Sequence, residues 1–229
     1  MDKLYKIYAR LFAKKIFEQW NLQLFRFALS GLGVLNYWNN NLSGEEYFID
    51  KILSKYTKED PIFFDVGANI GNYTNLLSKK YHNSKIHLFE PHPKNFKKLQ
   101  NRKFGKNCFL NNMALSEEEG SIEIFDYKYN DGSSHASVYK EVIEKIHKGE
   151  AVSYHVEKST IDDYVSDKKI IEISLLKIDV EGHELQVLKG ASKAINSGNI
   201  RIVHFEFNEM NVESATFFKD IRECNLNSV

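Results

Sequence analysis

Ile62-Phe63-Phe64-Asp65-Val66-Gly67-Ala68-Asn69-Ile70-Gly71-Asn72 is the stretch that decides how this chain folds. An apolar run ends in Asp-x-Gly-x-x-x-Gly, and a helical pattern begins at once. A buried parallel strand that turns sharply into a helix reads this way. Gly67 and Gly71 lack a Cβ, so the turn can take positive φ and a ligand can approach the main chain. With Gly67 as the first position of Gly-x-Gly-x-x-Gly, Asn69 and Asn72 occupy the other two. Those two glycines normally admit a pyrophosphate and close helix–strand packing. Without them, the loop points to a nucleoside that carries no pyrophosphate.

A second residue supports the same reading. The next strand candidate, Lys85-Ile86-His87-Leu88-Phe89, ends at Glu90-Pro91. In open α/β sheets an acid at this place accepts hydrogen bonds from ribose hydroxyls, and two carboxylate oxygens suit a vicinal diol. Pro91 and Pro93 stop the strand and favour a new helix. S-adenosylmethionine is therefore the expected cofactor.

Among 229 residues, 42% are hydrophobic and 13% aromatic, enough for one substantial core. Formal net charge is zero, which gives no global argument for a nucleic-acid partner. Cys108 and Cys224 lack metal-ligand spacing, and a core thiol at Cys108 fits a reducing compartment. Leu22 to Leu35 is interrupted by Gln23, Arg26 and Ser30, too short and polar to span a bilayer. No signal peptide is evident, and a cytoplasmic location is expected.

Residues 1–42 read as an N-terminal helical extension, with Leu4, Tyr8, Leu11, Phe12, Ile16 and Trp20 at roughly helical spacing. That stripe is expected to pack on the domain; a partner or membrane-surface contact is the alternative, since Lys3, Lys6, Arg10, Lys14 and Lys15 lie on the other side. Residues 43–229 form the main domain. Ser43-Gly44-Glu45-Glu46 reads as a capping box opening a helix through Ile49, Ile52 and Leu53. From Pro61 on, strands are predicted near 62–66, 85–90, 107–111, 173–180 and 200–207. Helices are predicted near 71–81, 93–103, 183–197 and 213–223. This alternation implies an α/β fold, a mostly parallel sheet with helices on both faces. An insertion with strand-like 120–127 and 152–159 encloses the polar loop Asn130 to His135, either a substrate lid or a surface turn.

Leu175-Leu176-Lys177-Ile178-Asp179-Val180-Glu181-Gly182 is the other informative passage. In a strand, Lys177, Asp179 and Glu181 share one face at period two. A central parallel strand should be apolar on both faces, and unpaired buried charge costs several kcal/mol. These three either pair in a structural network or line the crevice at the strand's carboxyl end. His204 and Glu206 repeat the pattern on the next strand.

Asp65-Val66-Gly67-Ala68-Asn69-Ile70-Gly71-Asn72, Phe89-Glu90-Pro91, Asn112-Met113-Ala114-Leu115-Ser116, Lys177-Ile178-Asp179-Val180-Glu181-Gly182-His183-Glu184 and Phe205-Glu206 together resemble the FkbM family of S-adenosylmethionine-dependent methyltransferases. The resemblance covers about residues 43 to 210. It implies the class I methyltransferase fold, a Rossmann-like three-layer sandwich, and methyl transfer to a hydroxyl of a sugar, glycan or secondary metabolite. It implies that Asp65, Gly67, Ala68, Asn69, Gly71 and Asn72 form the loop around the cofactor. Glu90 with Pro91 takes the ribose, and Asn112 lies beside the adenine. One departure stands out: only about twenty residues follow Asn208, so the C-terminal strands usual in the fold are shortened or missing.

An alcohol acceptor must lose its proton to a nearby carboxylate or imidazole. Asp179 is the first candidate, with Glu181 and Glu206 orienting the acceptor or sharing the task. His183 is a weaker candidate, because at a helix start it is expected at the surface. No metal is expected, because Asp179 and Glu206 lack a third ligand. The acceptor and the oligomeric state are not legible. The rival classes are a non-catalytic nucleoside-binding protein and a nicotinamide-dependent oxidoreductase, the latter without its glycine pattern.

Overall fold

The computed structural model describes residues 2–31, 44–129, 132–133, 136–140, 144, 150–207, 210–211 and 214–226. It divides into two compact units, Met1–Ile52 and Leu53–Val229. The sequence reading puts its domain boundary at 42/43.

In the first unit the expected helical region holds two helices, α1 (Asp2–Phe12) and α2 (Glu18–Gly31), separated by a 3-10 turn at Lys15–Phe17. The Phe12 ring sits 5.0 Å from Tyr8, 5.3 Å from Phe17 and 5.3 Å from Trp20. Tyr8 Oη donates to Asn21 (2.6 Å), whose amide caps the Phe12 carbonyl. Within this unit only Phe12 of the stripe is partly covered; Leu4, Tyr8, Leu11, Ile16 and Trp20 stand exposed. Ser43 of the expected capping box lies outside the described residues. The helical run begins at Glu45 after Gly44 in left-handed conformation, without a side-chain cap, and passes into a π turn at Phe48–Ile52.

The second unit contains a five-stranded parallel sheet. Its strands are β1 (Ile62–Val66), β2 (Lys85–Phe89), β3 (Cys108–Asn111), β7 (Leu175–Ile178) and β8 (Val203–Phe205), in the order β3-β2-β1-β7-β8. Helix α3 (Asn72–Lys80) follows β1 and α4 (Pro93–Gln100) follows β2. Side chains alternate in β1: Phe64 and Val66 point into one core with Phe89, Leu176 and Ile178. That core is closed by Ile161 and Tyr164 of α5 (Ile161–Lys168), Val187 and Leu188 of α6 (Glu184–Lys189), and Ile221 of α8 (Phe218–Leu226). Phe63 and Asp65 face the opposite side, where Tyr81, just beyond α3, and Thr74 within it meet them. The result is the Rossmann-like three-layer fold the sequence predicts. Each fully buried phenylalanine stabilises it by roughly 1.5–3 kcal/mol.

Several boundaries differ. The strands expected at 173–180 and 200–207 are shorter: the β1–β7 and β7–β8 ladders end at Ile178, where Asp179 N gives the last rung to the Val66 carbonyl (3.0 Å). The helix expected over 183–197 is two, α6 and α7 (Ser192–Asn196), broken where a Cβ on Gly190 would lie 1.9 Å from the Ser116 carbonyl oxygen. Helix α5 was not foreseen. The insertion forms a second sheet, β4-β6-β5, with β4 (Ala114–Leu115), β5 (Gly120–Tyr127) and β6 (Ala151–Ser159). Among the described residues no strand follows Phe205.

Candidate active site

The loop after β1 is held from both sides. Gly67 N and Ala68 N both donate to the Phe89 carbonyl at 3.0 Å. Gly67 has φ +74, and a Cβ there would lie 1.8 Å from the Asp179 carbonyl oxygen. This glycine therefore lets β1's loop pass against the end of β7. Gly71, φ +78, precedes α3, and a Cβ on it would meet Phe104 at 2.4 Å. Its lack of a side chain serves packing, a reason the sequence alone did not separate from ligand approach. Asn72 is exposed and accepts from Arg102 (2.9 Å), which also binds the Ile70 carbonyl.

Glu90 sits just past β2, 5% exposed. Asn69 N, in the glycine loop, donates to its Oε2 at 2.7 Å, and His92 N donates to its Oε1 at 2.9 Å. Burial pushes its pKa up to about 7; those two amides and the charge of Lys177 only partly offset that. Each carboxylate oxygen has two lone pairs, so both retain room for a hydroxyl donor. Asn112 is exposed and donates to the carbonyls of Glu90 (2.8 Å) and Pro91 (3.1 Å), fixing the backbone of this corner.

Behind Glu90 lies a contact that no local sequence pattern announces. His92 caps α4 by accepting from Lys94 N at Nδ1, which assigns its proton to Nε2. Nε2 faces Asp126 Oδ2 of β5 at 3.4 Å, with both side chains fully buried. Asp126 in turn accepts from the backbone amides of Tyr127, Gly132 and Ser133 and from the Ser133 hydroxyl. Asn95 and Lys98 of α4 bind the carbonyls of Ser133 and Gly132 at 2.8 Å. The insertion is thus fastened to the corner that holds Glu90. Asn130, Asp131, Ser134 and His135 of its loop lie outside the described residues.

At the end of β7, Lys177 is buried with its Nζ 3.3 Å from Asp65 Oδ1 and 3.3 Å from Asp179 Oδ2. Burial disfavours its ammonium, but the two carboxylates more than compensate and hold its pKa above the ordinary lysine value. Asp65 is fully buried and also accepts from Thr74 Oγ1 (2.7 Å), so it anchors the loop from beneath. The pairing reading is met for Lys177 and Asp179, with Asp65 as the second carboxylate of the network, and Asp179, 37% exposed, carries it to the surface. Period two does not continue to Glu181, which lies beyond the strand with φ +53; its carbonyl accepts from Ser137 of the insertion (2.7 Å). Glu206 follows β8, its amide bonded to the Ile178 carbonyl, one register step beside Asp179. His204 Nδ1 meets Tyr73 Oη at 2.9 Å.

His183 corrects the expectation of a surface residue. It is 7% exposed, Nε2 lies 3.0 Å from Ser116 Oγ, and burial lowers its pKa to about 4. Glu184, next in sequence, was missed as a structural residue: its Oε1 accepts from Val180 N and Gly182 N, and Oε2 from Asn211 (2.6 Å). It closes the turn carrying Glu181.

The structure thus gathers Gly67, Ala68, Asn69, Glu90, Pro91 and Asn112 at one end of the sheet, with Asp179 against Gly67 and Glu206 beside it. No group of three or more metal-ligating side chains occurs among the described residues. An open depression of about 910 Å³, lined by Lys85, His87 and Tyr164 among others, lies at the strands' opposite ends. It has no part in this arrangement.

Residues 65–226 match the Methyltransferase FkbM domain family. Hexuronic acid methyltransferase AglP of Haloferax volcanii is 31% identical over 166 residues, covering 71% of this chain and 63% of that protein. Methyltransferase sdnD of Sordaria araneosa is 31% identical, covering 58% of this chain and 61% of that protein. Both matches span less than two thirds of the relative. A crystal structure of Methyltransferase FkbM from Methylobacillus flagellatus KT aligns with a TM-score of 0.42 at 19% identity, over 69% of this chain and 39% of that one. With seven tenths of its length inside the domain match, and that stretch carrying the glycine loop, Glu90 and Asp179, the chain belongs to the FkbM methyltransferase family.

Proposed function

We propose that this chain transfers the methyl group of S-adenosylmethionine to a hydroxyl of a sugar, glycan or secondary metabolite. The observation that carries this reading is the 2.7 Å bond from Asn69 N to Glu90 Oε2, which joins the glycine loop to the acid after β2. A buried carboxylate that meets only amides is suited to the vicinal hydroxyls of a ribose, so these residues fit a nucleoside cofactor. That cofactor supplies an electrophilic methyl group.

The chain's own task is alignment and proton removal. Asp179, exposed beside Gly67, accepts the acceptor's hydroxyl proton, and Lys177 keeps its carboxylate in place. Glu181 and Glu206 orient the acceptor. Holding it in line reduces the barrier by up to about 7–11 kcal/mol in favourable cases. The named substrate of the Haloferax relative makes hexuronic acids the first acceptors to try.

The test is incubation with methyl-labelled S-adenosylmethionine and a panel of uronic-acid and neutral oligosaccharides. Label in an alkali-stable ether is the expected product. An alkali-labile ester would move the reaction to a carboxyl group. Cofactor binding without transfer to any acceptor would favour a non-catalytic binding protein.

A further inference from the structure

The helices of the first unit carry a surface that the methyl-transfer reading does not use. No residue from Lys3 to Gly31 is buried. Only part of the aromatic set is mutually covered, through the Phe12 contacts. Leu4 (74% exposed), Ile16 (83%) and Phe27 (71%) stand in solvent, as do Ile7, Leu11 and Phe25. A patch of this kind marks an interaction surface.

Charge selects the occupant. At 100° per residue, Leu4, Ile7, Tyr8, Leu11 and Phe12 occupy one half of α1, and Lys3, Lys6 and Arg10 the other. Residues 2–31 hold six lysines and arginines against Asp2 and Glu18. They carry a surplus of four positive charges, and since the whole chain is neutral, the remainder carries four negative ones. None of the six cations has an ion-pair partner among the described residues. A second copy would set two such clusters against each other, which repulsion opposes. No described helix is long and apolar enough to cross a membrane. A basic helix with an aromatic and leucine face instead lies in the interface, its apolar side about 5–10 Å deep and its lysines reaching out to headgroups.

We propose that residues 2–31 are a peripheral anchor for an anionic lipid surface. The anchor is independent of the site at the sheet's carboxyl end and of what that site binds.

The test is co-sedimentation of the full chain with phosphatidylcholine vesicles, with and without phosphatidylglycerol, at low and high salt. The wild type is expected to partition onto the anionic vesicles, and at least about tenfold less onto neutral ones or at high salt. Ile7→Glu with Leu11→Glu should abolish partition, with helical circular dichroism and S-adenosylhomocysteine binding unchanged. Should that pair disturb folding, Lys3→Glu with Lys6→Glu leaves the apolar face intact and should weaken anionic binding alone. Failure to bind anionic vesicles overturns the proposal. In that event light scattering and hydrogen exchange identify the true cover: a dimer dissociated by Leu11→Glu points to a second copy, and a monomer with protected helices to the chain itself. Equal partition onto neutral vesicles overturns the electrostatic argument.

Discussion

Asp65 and Glu90 are buried carboxylates at the carboxyl ends of adjacent strands, yet they are kept by different means. Asp65 meets an ammonium and a hydroxyl, those of Lys177 and Thr74. Glu90 meets two backbone amides and no cation at contact distance, and its pKa is pushed up to about 7. A buried charge answered by an opposite charge is part of the scaffold. One answered only by amides retains acceptor capacity and sits near its titration point, the condition of a group that gains from a hydroxyl-bearing ligand. In the proposed function the two corners do different work, Asp65 holding the loop and Glu90 gripping the ligand.

Breaking the first corner should have the largest effect. Lys177→Met leaves Asp65 buried without its cation, and urea denaturation should show a loss of about 3–5 kcal/mol. A loss below about 1 kcal/mol would mean that the network does not hold the loop. Glu90→Gln is the contrasting change. Its loss at neutral pH should be smaller, about 1–3 kcal/mol, because the carboxamide keeps one acceptor oxygen and leaves one of the two backbone amides unpaired. A Glu90→Gln loss as large as that of Lys177→Met would erase the distinction.

The pH dependence of stability sharpens the contrast. Folded Glu90 titrates at about 7 against an unperturbed 4.5, so it binds its proton more tightly when folded. Its stabilising contribution is full below about 4.5 and is lost as pH rises through about 7. Burial lowers His87 and His183 to about 4. Their contribution is full above 6.5 and lost as pH falls through about 4. Between pH 5 and 8, wild type should lose up to about 3 kcal/mol relative to Glu90→Gln, read as a change in the difference of their melting free energies. Parallel curves would place the titration elsewhere.

The smallest effect should come from Asp126→Asn, which weakens the hold of the insertion on His92. The cofactor's KM should rise a few-fold with kcat nearly unchanged. A fall in kcat alone would give Asp126 another role.

Much of this was legible because local rules and the final fold agree. The turn at Gly67, the acid after Phe89 and the alternation of strands and helices each follow from short patterns. Helix α5 was missed although Thr160 and Asp163 carry its cap: Thr160 Oγ1 accepts from Asp163 N (2.9 Å) and donates to its carboxylate (2.6 Å). Eight residues with a weak apolar stripe gave too short a period to recognise. His183 was misplaced for a different reason. It bonds to Ser116, far away in sequence, and no local pattern reports such a contact. The same holds for His92 and Asp126, which meet only once the insertion folds back over α4.

The most direct test of the central claim is calorimetric titration of S-adenosylhomocysteine into wild type and Glu90→Gln at pH 6 and pH 8. Wild type should release a proton on binding at pH 6 and gain about tenfold in affinity at pH 8, because the ribose hydroxyls favour ionised Glu90. The variant should bind at least about tenfold more weakly at pH 8, with no such dependence. Equal affinities for the two proteins at both pH values would contradict the assignment of Glu90 to the ribose.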